Sequence, residues 1–203
     1  MIVPMEFEII NISKKLFLSY GLKSISMDDI CKKMGISKKT LYQYIPTKAK
    51  LVEKVVLHRI QEEQAAVSQI INHHYDAVEE YINIGRHIVK TLREMKPTVI
   101  YDLQKYYPNE WKKLESLQVE FMGEVIGNNI SRGKEEDLYR ANVDASIISK
   151  LYISKSLAIV DELIFPLQKY SKDELFKEFV RYHIYGIASK KGLKRLEQLV
   201  DQL

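Results

Sequence analysis

The stretch SISMDDICKKMGISKKTLYQYIPTKAKLVEKVV, residues 24–56, places helix-start and helix-stop signals at close spacing. A serine or threonine side chain at an N-cap accepts a hydrogen bond from a free backbone N–H, and three helical patterns each follow such a residue: Ser26, Ser37 and Thr47. Gly35 separates the first two patterns and Pro46 the next two. The stretch therefore predicts two short helices joined by a glycine turn, then a long linking helix over about 47–71.

Two short helices joined by a glycine turn are typical of a helix-turn-helix, whose second helix enters the DNA major groove. Apolar residues at suitable positions predict the contacts between the two helices: Ile30, Met34, Ile36 and Leu41. On a helical wheel of the second helix, Leu41 and Ile45 face inward and Tyr44 lies at the border. The outward arc carries residues able to form hydrogen bonds: Lys39, Thr40, Tyr42 and Gln43.

The charge of the chain is concentrated near its N-terminus. Residues 1–60 carry a net charge of +6, whereas the remainder sums to −2. Lys38 and Lys39 also follow the Ser37 cap, where the helix dipole disfavours cations. A phosphate group at that helix end would make these lysines favourable. The charge pattern suits a polyanion such as nucleic acid, or an anionic membrane surface, and a merely solvated face is the alternative.

The quoted stretch resembles the N-terminal DNA-binding domain of the TetR/AcrR family of transcriptional regulators. It matches the family pattern of a capped helix, a glycine turn, a Ser-x-x-Thr-Leu-Tyr recognition helix and a lysine that opens a long helix. The resemblance covers about fifty residues. It departs from the usual pattern at Cys31, Met34, Tyr44, Ile45 and Lys50, which leaves operator preference open.

The resemblance implies phosphate contacts for Thr40, Tyr42 and Lys48, with Ser26 and Tyr44 as helpers beside the Ser37 cap. Tyr44 is equally well explained as a core aromatic. By geometry, Lys39, Gln43 and Lys38 reach base edges, where lysine suits guanine acceptors and glutamine suits adenine. The expected partner is double-stranded DNA with a pseudo-palindromic operator.

Sparse glycine and proline and apolar residues at three- and four-residue spacing predict helix throughout, so the fold class is all-α. We expect a DNA-binding domain at 1–50 and a C-terminal ligand-binding and dimerisation domain at 51–203. The resemblance implies a small-molecule pocket among helices four to eight, for an apolar or aromatic ligand. Its candidate wall residues are Tyr101, Trp111 and Phe121.

The segment at 141–165 is apolar on more than one face, which predicts a partner beyond its own core. With the terminal segment at 176–199 it resembles the two-helix dimer interface of the family, and Ile148 and Leu151 are its candidate contacts. A helix buried wholly within one subunit is the alternative. We expect a homodimer that reads two half-sites.

No apolar run reaches the roughly 18 residues of a membrane span, so a cytoplasmic protein without membrane contact is expected. One cysteine and five histidines form no metal-ligand or catalytic motif, so we expect no enzyme activity, catalytic residue, metal or cofactor. The function predicted is a DNA-binding repressor released by a small molecule. The alternative is a helix-turn-helix protein whose C-terminal helices bind a protein partner.

Overall fold

The structure of the chain is a computed structural model. It describes residues 4–94, 97–159, 163–166 and 168–199, and for residues 92–94, 97, 157 and 172 it describes the backbone alone. The helices are α1 (Pro4–Tyr20), α2 (Met27–Met34), α3 (Lys38–Tyr44), α4 (Lys48–Ile71), α5 (Ala77–Glu94), α6 (Pro97–Tyr106), α7 (Pro108–Glu135), α8 (Ala145–Ile159), α9 (Lys172–Ile187) and α10 (Lys190–Leu199). Over these ranges the chain forms no strand beyond an isolated bridge between Tyr139 and Ala188. The predicted all-α fold is confirmed.

The described residues form two compact units, each with its own hydrophobic core. Unit 1 contains those within 1–64 and 94–118, and unit 2 contains those within 65–93 and 119–203. Unit 1 thus combines the first three helices and most of α4 with α6 and the start of α7. The assignment of separate roles to residues 1–50 and 51–203 stays a prediction.

The core of unit 1 forms because apolar residues recur on one face of each helix. Ile9, Ile10 and Phe17 of α1 are buried, as are Leu41 and Ile45 at α3. Apolar side chains of α4 and α6 complete this core: Leu51, Val52, Val99 and Leu103. The packing orients α3 with its other face outward, as its sequence predicts.

The core of unit 2 includes a buried polar network beside the start of α5. Asn129 donates from Nδ2 to the Ala77 carbonyl at 2.9 Å and to Oε1 of Glu80 at 2.8 Å. The Tyr139 hydroxyl donates to the same carbonyl at 3.0 Å, and Arg132 lies 2.9 Å from the Glu80 carboxylate. Because buried polar groups need partners, this network ties α5 to α7 and to the Tyr139 loop.

The C-terminal helices differ from the sequence prediction in two places. The segment at 141–165 forms α8 only from Ala145 to Ile159, and residues 160–162 lie outside the described part of the chain. The terminal segment is broken between α9 and α10, because the Ser189 N–H donates to the Leu138 carbonyl at 2.9 Å rather than within a helix. The terminal segment at 176–199 therefore contributes to two helices, α9 and α10.

Candidate nucleic-acid interface

Helix α2 begins at a complete capping box. The Asp29 N–H donates to Oγ of Ser26 at 3.2 Å, and the Asp29 carboxylate accepts from the Ser26 N–H at 2.9 Å and from its hydroxyl at 2.5 Å. The hydrogen bonds from the Ser26 hydroxyl and N–H hold the pKa of Asp29 below its ordinary value, and the one from the hydroxyl has the larger effect. The reciprocal bonds fix where α2 starts.

The turn between α2 and α3 depends on Gly35. Its φ of 67° and ψ of 27° lie in the left-handed region, which side chains with a Cβ disfavour. The Gly35 N–H donates to the carbonyls of Cys31 and Lys32, and the Ile36 N–H donates to Cys31 at 3.1 Å. These bonds satisfy the last carbonyls of α2 and set the direction in which α3 begins.

Helix α3 presents a polar face to solvent above a buried apolar one. Its cap is confirmed, because the Thr40 N–H donates to Oγ of Ser37 at 3.0 Å. The Ser37 and Thr40 hydroxyls also lie 2.8 Å apart. Exposed side chains cover the outer face: Lys39, Tyr42 and Gln43. Tyr44 is half-buried and packs against the core of unit 1, while its predicted DNA contact stays a prediction.

The two lysines at the start of α3 have different surroundings. Lys38 pairs with Asp28 at 2.7 Å, and this hydrogen bond raises the pKa of Lys38. Lys39 takes part in none of the ion pairs of the described residues. An acid in the first turn of α2 therefore offsets one of the two unfavourable charges. Of the pair, Lys39 is the cation whose charge is left for an external anion.

Lys48 lies at the start of α4 and is half-buried. Its Nζ donates to the Lys23 carbonyl at 3.5 Å, at the long limit for a hydrogen bond. Burial lowers the pKa of Lys48, and the charges of Asp102 and Asp29 oppose that shift. The neighbouring Lys50 pairs with Glu53 at 2.6 Å. The Lys48 ammonium thus has a weak backbone acceptor but no carboxylate at ion-pairing distance among the described residues.

Sequence reasoning missed Asp102, which holds the turn between α1 and α2. It is 7% exposed, and its carboxylate accepts from the Lys23 N–H at 2.9 Å. Gly21, with a φ of 87°, leaves only 3.1 Å between its ideal Cβ position and this carboxylate. The sequence does contain a signal for this role, because Asp102 lies at helical spacing with Val99 and Leu103 and so falls on the apolar face of α6.

The candidate ligand residues belong to different units. Tyr101 is 55% exposed on α6, and Trp111 packs against the core of unit 1. Phe121 packs against the core of unit 2. A role for any of them in a ligand pocket stays a prediction.

The candidate dimer residues lie on α8, beside an exposed groove of unit 2. Ile148 is half-buried against the core of its own unit, whereas Leu151 is 48% exposed. A cavity of about 430 Å³ lies between α8 and α9, and its walls include Leu151, Tyr152, Lys155, Phe179, Tyr182 and His183. The buried Nε2 of His183 has no hydrogen-bond partner among the described residues. Burial lowers the pKa of this histidine to about 4.

The described residues contain neither a candidate membrane span nor a candidate metal site. No helix there is long and apolar enough to cross a membrane. No group of three or more His, Cys, Asp or Glu side chains in the same residues is arranged to hold a metal ion.

Comparisons with known proteins agree with this geometry. Residues 9–55 match the family model of bacterial regulatory proteins of the tetR family. No curated protein matches the chain. A transcriptional regulator from Cytophaga hutchinsonii ATCC 33406 has a similar structure, with a TM-score of 0.76 at 20% identity over 90% of this chain and 98% of that one.

Two further solved structures share the fold at lower identity. The ketosteroid transcriptional regulator KstR2 of Mycobacterium tuberculosis has a TM-score of 0.62 at 14% identity, covering 94% of this chain and 98% of that one. RolR, solved in complex with resorcinol, has a TM-score of 0.61 at 14% identity, covering 94% of this chain and 90% of that one.

Proposed function

We propose that the chain is a DNA-binding transcriptional regulator of the TetR family, since residues 9–55 match the model of that family, and that it acts as a cytoplasmic repressor released from its operator by a small molecule. The observation that carries the proposal is the exposed polar face of α3, held outward by buried Leu41 and Ile45. Such a face offers hydrogen-bond donors and acceptors at the positions where a recognition helix meets base edges.

We assign the reading of bases to Lys39 and Gln43, both exposed on α3. Lys38 reaches a base edge only if its pair with Asp28 opens. The remaining residues position the protein on phosphates: Ser26, Ser37, Thr40, Tyr42, Tyr44 and Lys48. Phosphate contacts fix the register of the protein on the duplex, and base contacts supply the sequence preference.

A homodimer is supported by apolar side chains that unit 2 leaves in solvent. Four of them lie on α8 and α9 and are between 48% and 64% exposed: Ile147, Leu151, Tyr182 and Tyr185. A second copy would cover this face and the adjoining groove, removing apolar surface from water. The dimer would then read a pseudo-palindrome through two copies of α3.

Two glycines provide a matched test of the dimer. An ideal Cβ at Gly186 of α9 or at Gly127 of α7 meets nothing within 4 Å, so the backbone leaves space for the start of a side chain at either position. Gly186 borders the groove between α8 and α9. We expect Gly186→Arg to give monomers in sedimentation and Gly127→Arg to remain dimeric. Dimers for both variants, or a monomeric native protein at micromolar concentration, would refute this interface.

An apolar or aromatic ligand is supported by analogy with RolR, whose structure contains resorcinol. We propose a site for such a ligand in unit 2, with Phe121 as a candidate wall. Helix α4 continues without a break from Lys48 to Ile71. A ligand that shifts this helix would move Lys48 and lower the affinity for DNA, with a coupling free energy of about 1–3 kcal/mol.

Selecting bound fragments from random duplex DNA with the purified protein tests the proposal. We expect a pseudo-palindromic consensus, because a dimer presents two recognition helices. Candidate aromatic ligands are then titrated against the complex of the protein with the selected duplex. A selection that yields no consensus would refute sequence-specific binding. A ligand that saturates the protein without changing DNA affinity would refute only the switch.

A further inference from the structure

A cluster of lysines and tyrosines lies on the surface of unit 1 outside the helix-turn-helix. We call it the α6 patch and define it as Lys23, Tyr101, Lys105 and Tyr106, all exposed. Lys23 donates from Nζ to the Tyr106 hydroxyl at 3.1 Å, and Lys105 donates to the Tyr101 hydroxyl at 2.6 Å. The two ammonium groups also lie 5.0 and 5.6 Å from the centre of the Tyr106 ring.

The α6 patch holds two positive charges around one aromatic ring. Contacts with tyrosine rings and hydroxyls orient Lys23 and Lys105 but leave their charges in place. Neither lysine takes part in an ion pair of the described residues. Two like charges held near each other repel. A polyanion bound beside both lysines would attract each of them and so offset this repulsion.

The α6 patch is continuous with the candidate DNA interface. Lys48, assigned above to a phosphate, donates to the carbonyl of Lys23 itself. The buried Asp102 carboxylate binds the Lys23 N–H at 2.9 Å and so holds this turn against α6. Lys23 therefore joins the start of α4 to the exposed tyrosines of α6.

We propose that the α6 patch binds DNA phosphates next to those bound by Lys48, with Lys23 and Lys105 as the cations. This inference rests on the DNA binding proposed above and extends it beyond the helix-turn-helix. Tyr101 and Tyr106 hold the two lysine side chains in place and offer their own hydroxyls to phosphate oxygens. The contacts carry no sequence information, because they involve the DNA backbone alone.

The test compares single charge-removing variants on one duplex. Lys23→Gln and Lys105→Gln each remove a cation of the α6 patch, and Lys169→Gln removes an exposed one from unit 2. Two labelled duplexes serve as probes in fluorescence anisotropy at 50 and 200 mM salt. The matched duplex carries the consensus selected from random DNA, and the second carries base-pair substitutions in that consensus. Thermal unfolding checks that each variant is folded. If one patch variant fails to fold, the other still tests the proposal.

We expect each patch variant to weaken binding of both duplexes by the same factor. The ratio of the variant's dissociation constant to that of the native protein should fall by about 3- to 4-fold per lost phosphate contact between 50 and 200 mM salt, since each contact releases about 0.9 counterions. Lys169→Gln should behave as the native protein does.

Three results would overturn the inference, and they can be distinguished. Native protein that binds the selected duplex while both patch variants keep its affinity and salt dependence would refute the α6 patch alone. Native protein that binds no duplex would refute the proposed function and the α6 patch with it. A loss confined to the matched duplex would also contradict a backbone contact.

Discussion

Replacing Gly35 with alanine should destabilise unit 1 through the backbone alone. Gly35 has a φ of 67°, and an ideal Cβ built on it meets nothing within 4 Å. The cost therefore contains no clash with a neighbouring side chain. The left-handed conformation costs a residue with a Cβ about 1–2 kcal/mol. Gly35→Ala should therefore lower the free energy of unfolding by about that amount.

Trp111 provides the assay, because it is the one tryptophan in the sequence and it packs against the core of unit 1. Its fluorescence during urea unfolding reports the unit that contains Gly35. Gly35→Asn is the matched variant, since asparagine adopts the left-handed conformation more readily than alanine. Alanine and asparagine variants that are equally stable, or an alanine variant as stable as the native protein, would refute the reasoning.

Two further predictions concern unit 2. Gly133→Ala should be destabilising by about 1–3 kcal/mol because its Cβ would lie 2.1 Å from the hydrogen-bonded Tyr139 ring; Gly127→Ala, in open space on the same helix, should stabilise by up to about 1 kcal/mol in thermal unfolding. Burial lowers the pKa of His183 from its ordinary value of 6.5 to about 4, so unfolding takes up a proton and stability falls as the pH drops from 6.5 towards 4. His183→Phe should lose less stability than the native protein between pH 7 and 5; an equal loss would contradict the assignment.

Local sequence signals predicted the helix-turn-helix well. The caps at Ser26 and Ser37, the turn at Gly35 and the end of α4 at Ile71 all depend on residues within four positions of the helix end. Capping and backbone conformation act over that short range, so the sequence contains the necessary information. Burial of Leu41 likewise followed from helical spacing.

Contacts between distant residues could not be predicted in the same way. The hydrogen bond of Asp102 to Lys23 spans 79 residues, and the pair of Lys38 with Asp28 joins two helices. The break before α10 depends on Ser189 binding the Leu138 carbonyl, which no pattern near Ser189 indicates. These features require the tertiary arrangement, because a local sequence, even one with an acid on an apolar face as at Asp102, does not identify the distant partner.

Comparing Gln43→Ala with Lys48→Ala on a selected duplex tests the central claim, that α3 reads bases while the start of α4 binds phosphate. The measurement is the dissociation constant of each variant for the selected duplex and for its single-base-pair substitutions. Gln43→Ala should cost about 1–3 kcal/mol on the selected site and relax preference at one or two base pairs. Lys48→Ala should weaken all duplexes by the same factor. The same dependence on sequence for both variants would contradict the account.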